Sequence, residues 1–246
     1  FMPSMEGGGV EKNLVILINF LLKKLKNIEI ISFDEFYKKE ISNKVNFISF
    51  KKKPIRVNKY FKYLICLILL LKQIIFKDVL ILSFQANIYC LIICKLLNKK
   101  IIVRSNSSPS GWTKNIFKNF IYSYFIKKSD KLIVNSHSFK KEMKKIFNVN
   151  PLTIYNPLNI DEIKEKAQKK INIKFYKKKH INIINVGRLT DQKDHLTLLK
   201  AIKIIPKNIK INLLIIGYGG NKNNLIAFIK KNKIKNKVDI INELKN

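Results

Sequence analysis

The chain has 246 residues, of which 47% are apolar, so it is long and apolar enough to bury a core and is expected to be globular rather than disordered. Its 49 basic and 16 acidic residues give a formal net charge of +33, which taken alone would suggest binding to nucleic acid or to an anionic membrane. Only three of the basic residues are arginine, whereas a nucleic-acid surface would use arginine forks, so the lysine excess is interpreted as a compositional bias and no nucleic-acid partner is predicted.

Helices and strands alternate along the chain, which is typical of parallel sheets with crossover helices. The first series predicts helices at residues 10–25, up to 76, 86–97, 114–127 and from 136 or 138, and strands at 28–32, 45–50, 79–84, 100–104, 131–135 and 152–155. A polar, lysine-rich segment follows Pro157. The second series predicts strands at 180–186, 211–216 and 238–241, and helices at 193–205 and 224–232.

This order of elements predicts an α/β protein with two Rossmann-like parallel-sheet domains. The N-terminal domain is predicted over residues 1–158, a connecting segment over 159–179, and the first part of a second domain over 180–246. The second domain is expected to be incomplete, because three strands and two helices leave sheet edges and much of the helical cover missing.

Several classes of protein are disfavoured by the residue pattern. The most apolar stretch, residues 63–84, is interrupted by Lys72, Lys77 and Asp78 and is too short and too charged to span a bilayer. The three cysteines lack CxxC pairs and fit a reducing cytoplasm, where Cys90 and Cys94 would share one helix face as small apolar residues.

The three histidines do not have the spacing of metal ligands, and no metal site is predicted. His137 lies beside a helix start and is interpreted as a neighbour of the helix cap rather than a catalytic base. His195 is expected to pack or cap, and Asp191 and Asp194 are expected to interact with the helix N-terminus electrostatically.

The most informative motif lies at residues 186–195, between a predicted strand and a predicted helix. Gly187 provides the turn, and Arg188 and Lys193 bring a guanidinium fork and an ammonium group beside backbone N–H groups and a helix N-terminus. This combination suits a diphosphate and predicts a phosphorylated, nucleotide-linked ligand. Ordinary surface cations are the alternative, which is weaker for Arg188 because arginine is rare in this chain.

Four motifs together resemble the retaining glycosyltransferases of family 4, which have the two-domain GT-B fold. They are Gly-Gly-Gly-Val-Glu at 7–11, Asn-Ser at 135–136, Ile-Tyr-Asn-Pro at 154–157, and Val-Gly-Arg-Leu at 186–189 with Gln-Lys-Asp at 192–194. The tract at 103–106 with Gly111 and Trp112 also resembles members that assemble surface polysaccharides or lipid-linked oligosaccharides.

The resemblance implies roles for the two cations of the motif. Arg188 and Lys193 would bind the diphosphate of a nucleotide sugar and stabilise the departing nucleotide, so that transfer needs neither a metal nor another cofactor. The acceptor would be a lipid-linked or polysaccharide glycan, and the protein would be cytoplasmic, with the inner face of the cell membrane as a candidate location and an anionic membrane surface as a candidate partner.

The resemblance also implies substrate-binding roles for the glycines. Gly7, Gly8 and Gly9 would form a loop near the phosphates and the acceptor, although a flexible leader is an equal alternative. Gly187 would belong to the same donor site. Gly217 and Gly219 would form a turn where a side chain would obstruct the ligand or the packing of the backbone.

The chain also departs from the family pattern. Only residues 1–3 stand where the family has a first strand, a family pair of glutamates is expected beyond Asn246, and residues 104–106 occupy the place of a histidine that several relatives use. We therefore expect this chain alone to have little activity.

Two alternatives remain: a sugar-nucleotide epimerase of the same fold, and a peripheral membrane module in which Lys114, Lys118, Lys127 and Lys128 flank the aromatic residues of the helix at 114–127.

Overall fold

The structure is a computed structural model that describes residues 1–55, 57–111, 115–169, 175–206, 208–235 and 237–242. The chain divides into two compact units, Phe1–Ile160 and Asp161–Asn246, and the division falls within the predicted connecting segment. Trp112 and Lys114, which the sequence analysis singled out, lie outside the described residues.

The first unit is an α/β unit whose strands pair in parallel. Its strands are β1 (Glu29–Asp34), β2 (Asn46–Lys51), β3 (Ile81–Ser83), β4 (Ile101–Ser105), β5 (Lys131–Val134) and β6 (Leu152–Thr153). Its helices are α1 (Gly9–Leu21), α2 (Lys59–Ile74), α3 (Asn87–Leu96), α4 (Ile116–Ile126) and α5 (His137–Phe147). β1 pairs with β2, and the other four strands form a sheet in the order β3-β4-β5-β6. The helix predicted at residues 10–25 is α1, which ends earlier than predicted, at Leu21.

Residues 1–3 link the two sheets of this unit through backbone hydrogen bonds. On one side the amide of Met2 donates to the carbonyl of Ile31 in β1, at 3.0 Å. On the other side the amide of Phe84, just after β3, donates to the carbonyl of Phe1, also at 3.0 Å. The carboxyl ends of β1 and β3 are therefore brought to one edge, which is where ligands bind in parallel α/β sheets.

Both faces of β1 are covered, as expected for a strand of a parallel sheet. Ile31 in β1 belongs to a buried cluster with residues of α2, α3, α4 and α5. Its neighbour Ile30 points into a second cluster with Leu14 and Ile18 of α1. This alternation follows from the two-residue period of a strand and gives the unit a core on each side of the sheet.

The second unit is a three-stranded parallel sheet with helices. It contains α6 (Ile160–Gln168), β7 (Ile181–Val186), α7 (His195–Ile204), β8 (Ile211–Ile216), α8 (Lys222–Lys231) and β9 (Val238–Ile241), with the strand order β7-β8-β9. All six residues of β8 are buried, as expected for a central strand. Leu213 packs with residues of α7 and α8, and Leu214 on the other face packs with Phe175.

The predicted α/β class with parallel sheets is confirmed, and β8 and β9 have the predicted bounds. All three cysteines are free and buried, so Cys90 and Cys94 act as small apolar residues of α3. Across the described part of the chain, none of the helices has both the length and the apolar character that a membrane crossing requires.

The turns after β7 and β8 pack against each other at two glycines. A Cβ atom on Gly217 would lie 1.9 Å from the carbonyl oxygen of Gly187, and one on Gly219 would lie 2.4 Å from that of Leu189. Gly219 also has a φ of +154°. Of the two reasons expected for these glycines, the packing of backbone on backbone is therefore observed directly.

We expect Gly217→Ala and Gly219→Ala each to destabilise the protein by about 2 kcal/mol or more, because the new methyl group would push the two turns apart. The measurement is urea unfolding followed by circular dichroism. Gly220→Ala is the matched control, since a Cβ atom there meets nothing within 4 Å, and its midpoint should stay close to that of the unmodified protein. Equal midpoints for all four proteins would contradict the backbone contact.

Candidate functional site

Arg188 and Lys193 lie in the loop that joins the carboxyl end of β7 to α7. Both side chains are exposed, and among the described residues neither has a hydrogen bond or an ion pair. Lys193 belongs to a short 3₁₀ turn, Asp191–Lys193, and its Cγ lies 3.8 Å from the position of a Cβ on Gly187. The loop thus presents two cations that form no ion pair among the described residues, beside a position that lacks a side chain.

The backbone amides of this loop are already in use. The amide of Gly187 donates to the carbonyl of Ile216 at 3.0 Å, and the amide of Leu189 donates to that of Tyr218 at 2.9 Å. These hydrogen bonds hold the loop against the turn after β8. Of the backbone N–H groups expected to face an anion here, those of Gly187 and Leu189 are therefore already paired.

The N-terminus of α7 carries a carboxylate of its own. Asp194 is the N-cap residue, and its Oδ1 accepts a hydrogen bond from the amide of Thr197 at 3.3 Å, as the sequence analysis expected. His195 is buried, and desolvation lowers the pKa of its imidazole, with Lys193 adding a smaller effect in the same direction. A neutral, packed histidine fits the predicted structural role.

The glycines at 7–9 lie at the start of helix α1. Gly8 is the N-cap residue of α1, and Gly9 is the first helical residue. Gly7 has a φ of +85°, which favours glycine. A Cβ atom on Gly8 would lie 2.6 Å from Oε2 of Glu11, a buried carboxylate that also accepts a hydrogen bond from the amide of Glu6 at 3.5 Å.

A buried lysine anchors the residue that precedes these glycines. Lys62 of α2 is only 3% exposed, and its Nζ lies 3.0 Å from Oε1 of Glu6 and 3.9 Å from Oδ2 of Asp34. Its Nζ also lies 5.7 Å from the ring centroid of Phe33. Hydrogen bonds from Ser4 and Lys62 lower the pKa of Glu6, while burial raises that of Asp34.

The sequence analysis did not find Lys62. A signal was present, because the buried positions of α2 are 62, 66, 70 and 74, which follow a spacing of four residues. A lysine in phase with an apolar helix face indicates a buried charge with partners.

Within the described residues, no group of three or more His, Cys, Asp and Glu side chains is placed to hold a metal ion. Arg188 and Lys193 are exposed charged side chains at the carboxyl end of β7.

The second unit is similar in sequence to a known family. Residues 164–246 match the family model for glycosyl transferases, group 1. This match includes β7, the Arg188 loop and the turn after β8, and it supports a group 1 glycosyltransferase domain in this part of the chain.

Two curated relatives match part of the chain. One is the N-acetylgalactosamine-N,N'-diacetylbacillosaminyl-diphospho-undecaprenol 4-alpha-N-acetylgalactosaminyltransferase of Campylobacter jejuni, 27% identical over 147 residues, which is 56% of this chain and 38% of the relative. The other is an uncharacterized glycosyltransferase of Methanocaldococcus jannaschii, 28% identical over 170 residues, which is 61% of this chain and 42% of the relative. The chain thus matches less than half the length of each.

The fold is shared with solved glycosyltransferase structures. The UDP-glucose complex of Anabaena Alr3699/HepE superposes with a TM-score of 0.70 at 13% identity, covering 100% of this chain and 68% of that one. A glycosyltransferase from Rickettsia africae superposes with a TM-score of 0.63 at 20% identity, covering 98% of this chain and 66% of that one. The superpositions establish the GT-B type of fold, but sequence identities this low do not indicate the substrates.

We expect Lys62→Ala to lower the free energy of unfolding by about 2 kcal/mol or more, because it leaves the buried Asp34 carboxylate without a cation. Urea unfolding at neutral pH measures the change. Lys72→Ala, at an exposed position of the same helix, is the control and should change the stability by less than about 0.5 kcal/mol. Equal losses in the two variants would show that Lys62 does not stabilise the loop before the glycines.

Proposed function

We propose that this protein is a glycosyltransferase that moves a sugar from a nucleoside-diphosphate sugar to a lipid-linked or polysaccharide acceptor. The observation that carries the proposal is the pair Arg188 and Lys193, two cations without a described partner at the carboxyl end of β7, within the segment that matches group 1 glycosyl transferases. The Campylobacter relative, whose name specifies a diphospho-undecaprenol glycan, supports a lipid-linked acceptor.

In the proposed reaction the bond between the anomeric carbon and the diphosphate oxygen breaks, and an acceptor oxygen forms the new glycosidic bond. The acceptor hydroxyl gives its proton to a phosphate oxygen of the departing nucleoside diphosphate or to water, and the nucleoside diphosphate leaves with the bonding electron pair. Arg188 and Lys193 lower the energy of that charge as it develops, which is the role a metal ion has in other transferases. We propose that transfer retains the anomeric configuration and needs no metal.

The glycines have distinct parts in this proposal. Gly7, Gly8 and Gly9 form the helix start that approaches the phosphates and the acceptor, and Glu11 and Lys62 hold it in place. Gly187 leaves room beside the cations, while the turn at Gly217 and Gly219 supports the Arg188 loop from β8. The donor site would therefore depend on the loop's shape as well as on its charges.

We expect Arg188→Gln to weaken binding of UDP by about tenfold or more and Lys193→Gln by a smaller factor, because each loses a charge-assisted hydrogen bond to the diphosphate. Isothermal titration with UDP and with uridine measures this, and uridine binding should not change. Lys200→Gln, an exposed lysine on α7, is the control.

The same preparations test the finer points of the proposal. Addition of EDTA should leave transfer from a nucleotide sugar unchanged, and the product should have the anomeric configuration of the donor. Unchanged UDP affinity in Arg188→Gln would remove the main support for the donor site, and epimerised nucleotide sugar without transfer would favour the epimerase alternative.

A membrane surface is a second partner in this proposal, favoured by the exposed side of α4. Phe117 and Phe120 are each 71% exposed and Tyr124 is 51% exposed, although Phe125 packs against the core. Lys128 lies against Tyr124, with Nζ 4.2 Å from its ring centroid. Aromatic side chains with lysines beside them suit an anionic bilayer, so we propose that transfer takes place at the inner face of the cell membrane.

We expect the protein to sediment with vesicles that contain phosphatidylglycerol and less with neutral vesicles. Phe117→Ser with Phe120→Ser should reduce sedimentation by about tenfold, because two buried aromatic contacts with lipid are lost. Ile204→Ser, an exposed apolar residue at the end of α7, is the control. Sedimentation that depends on charge but not on these aromatic residues would exclude α4 as the membrane contact.

A further inference from the structure

The guanidinium of Arg104 is buried among neutral groups at the carboxyl end of β4. The residue is 4% exposed. Its Nη2 donates to Oδ1 of Asn156 at 2.9 Å and to the carbonyl of Ile154 at 3.3 Å, and its Nε donates to Oδ1 of Asn106 at 3.3 Å. No carboxylate among the described residues forms an ion pair with it.

A buried cation without a counter-charge is unfavourable. Desolvation lowers the pKa of the Arg104 guanidinium, yet arginine stays protonated in proteins, so the charge remains. A neutral amide side chain could donate to the same oxygen atoms without that desolvation cost. Lys62, the other buried cation described above, has two carboxylates near it. Arg104 therefore has a charge that its protein partners do not balance.

One nitrogen of the guanidinium is left for a ligand. Nη1 has no hydrogen-bond partner among the described residues. It is not fully enclosed by protein atoms, so it retains contact with solvent. The ring of Phe84 covers another side, with its centroid 5.6 Å from Cζ. The group is thus fixed on three sides and open at Nη1.

The surroundings hold this opening at the edge of the sheet where ligands bind. The side-chain amide of Asn106 donates to the carbonyl of Phe84 at 3.1 Å, which ties the loop after β4 to the end of β3. The side-chain amide of Asn87, the first residue of α3, donates to the carbonyl of Arg104 at 3.0 Å. The guanidinium is therefore preorganised by β3, β4 and the segment after β6.

We propose that Arg104 binds an oxyanion of the phosphate class that the acceptor carries, at a site in the first unit distinct from the donor diphosphate site at Arg188 and Lys193. This inference rests on the proposed function for the identity of the acceptor. The anion supplies the missing counter-charge and accepts hydrogen bonds from Nη1, so binding it relieves the cost of the buried cation.

The test is titration of pyrophosphate into the protein with the donor site already saturated by UDP. We expect the unmodified protein to bind pyrophosphate under these conditions and Arg104→Met to bind it at least about tenfold more weakly, which corresponds to about 1.4 kcal/mol. Arg104→Lys keeps the charge and should recover part of the affinity. The affinity for UDP itself should be the same in all three proteins.

Thermal unfolding provides a second measurement, which distinguishes loss of pyrophosphate binding from a defect in folding. With the donor site saturated by UDP and without pyrophosphate, Arg104→Met should unfold at or above the temperature of the unmodified protein. Pyrophosphate added under these conditions should raise the unfolding temperature only where Arg or Lys is present at position 104. If Arg104→Met does not fold, Asn156→Ala removes one neutral partner, leaves the cation, and should still bind pyrophosphate at saturating UDP.

The outcomes separate this inference from the proposed function. Absence of pyrophosphate binding to the unmodified protein at saturating UDP would overturn the inference. Arg104 would then have only a structural role, through its hydrogen bonds within the protein. Loss of UDP affinity in Arg104→Met would also overturn it, since the anion would then be the donor's. If the unmodified protein fails to bind UDP, the proposed function fails, while pyrophosphate binding that depends on Arg104 still supports the anion site.

Discussion

The close contact of two backbone turns determines what the second unit can offer a ligand. Gly217 and Gly219 bring the turn after β8 against the Arg188 loop, and the carbonyls of that turn and of β8 accept hydrogen bonds from the loop's amides. These contacts hold the loop against the turn, and they leave its amides at Gly187 and Leu189 unavailable to an anion. In the proposed donor site the diphosphate is bound by Arg188 and Lys193, whose side chains are exposed and have no partners among the described residues.

In the first unit the notable cations are buried, whereas Arg188 and Lys193 of the second unit are exposed. Lys62 is buried with Glu6 and Asp34 near it, so its charge is balanced internally and serves to hold the residue before the glycine turn. Arg104 is buried as deeply but has neutral acceptors only. Burial alone therefore does not distinguish a structural cation from one that binds a ligand. The charge of its partners does, because a neutral hydrogen-bond acceptor satisfies geometry but does not balance charge.

The sequence was sufficient to predict the α/β class and the bounds of β8 and β9, because a buried parallel strand is a continuous apolar run between turns. It also predicted that Asp194 interacts with the N-terminus of the helix after β7, although not that Asp194 is its N-cap residue. It did not show that the amides of the Arg188 loop are paired, since that depends on a contact with the turn after β8. Nor did it identify the partners of Lys62, because Glu6 and Asp34 are distant from it in sequence and are brought together only by the sheet.

With a formal net charge of +33, this chain has many cations to attract an anion, and long-range attraction does not select among them. Selection requires a cation whose position is fixed and whose charge is unbalanced. The exposed lysines among the described residues have flexible side chains, so they do not meet the first condition. Arg104 meets both through its hydrogen bonds to Asn106 and Asn156, whereas the exposed side chain of Arg188 is positioned only by the backbone of its loop. Arg104 and Arg188 both lie at the carboxyl ends of parallel strands, which is where ligands of α/β proteins bind.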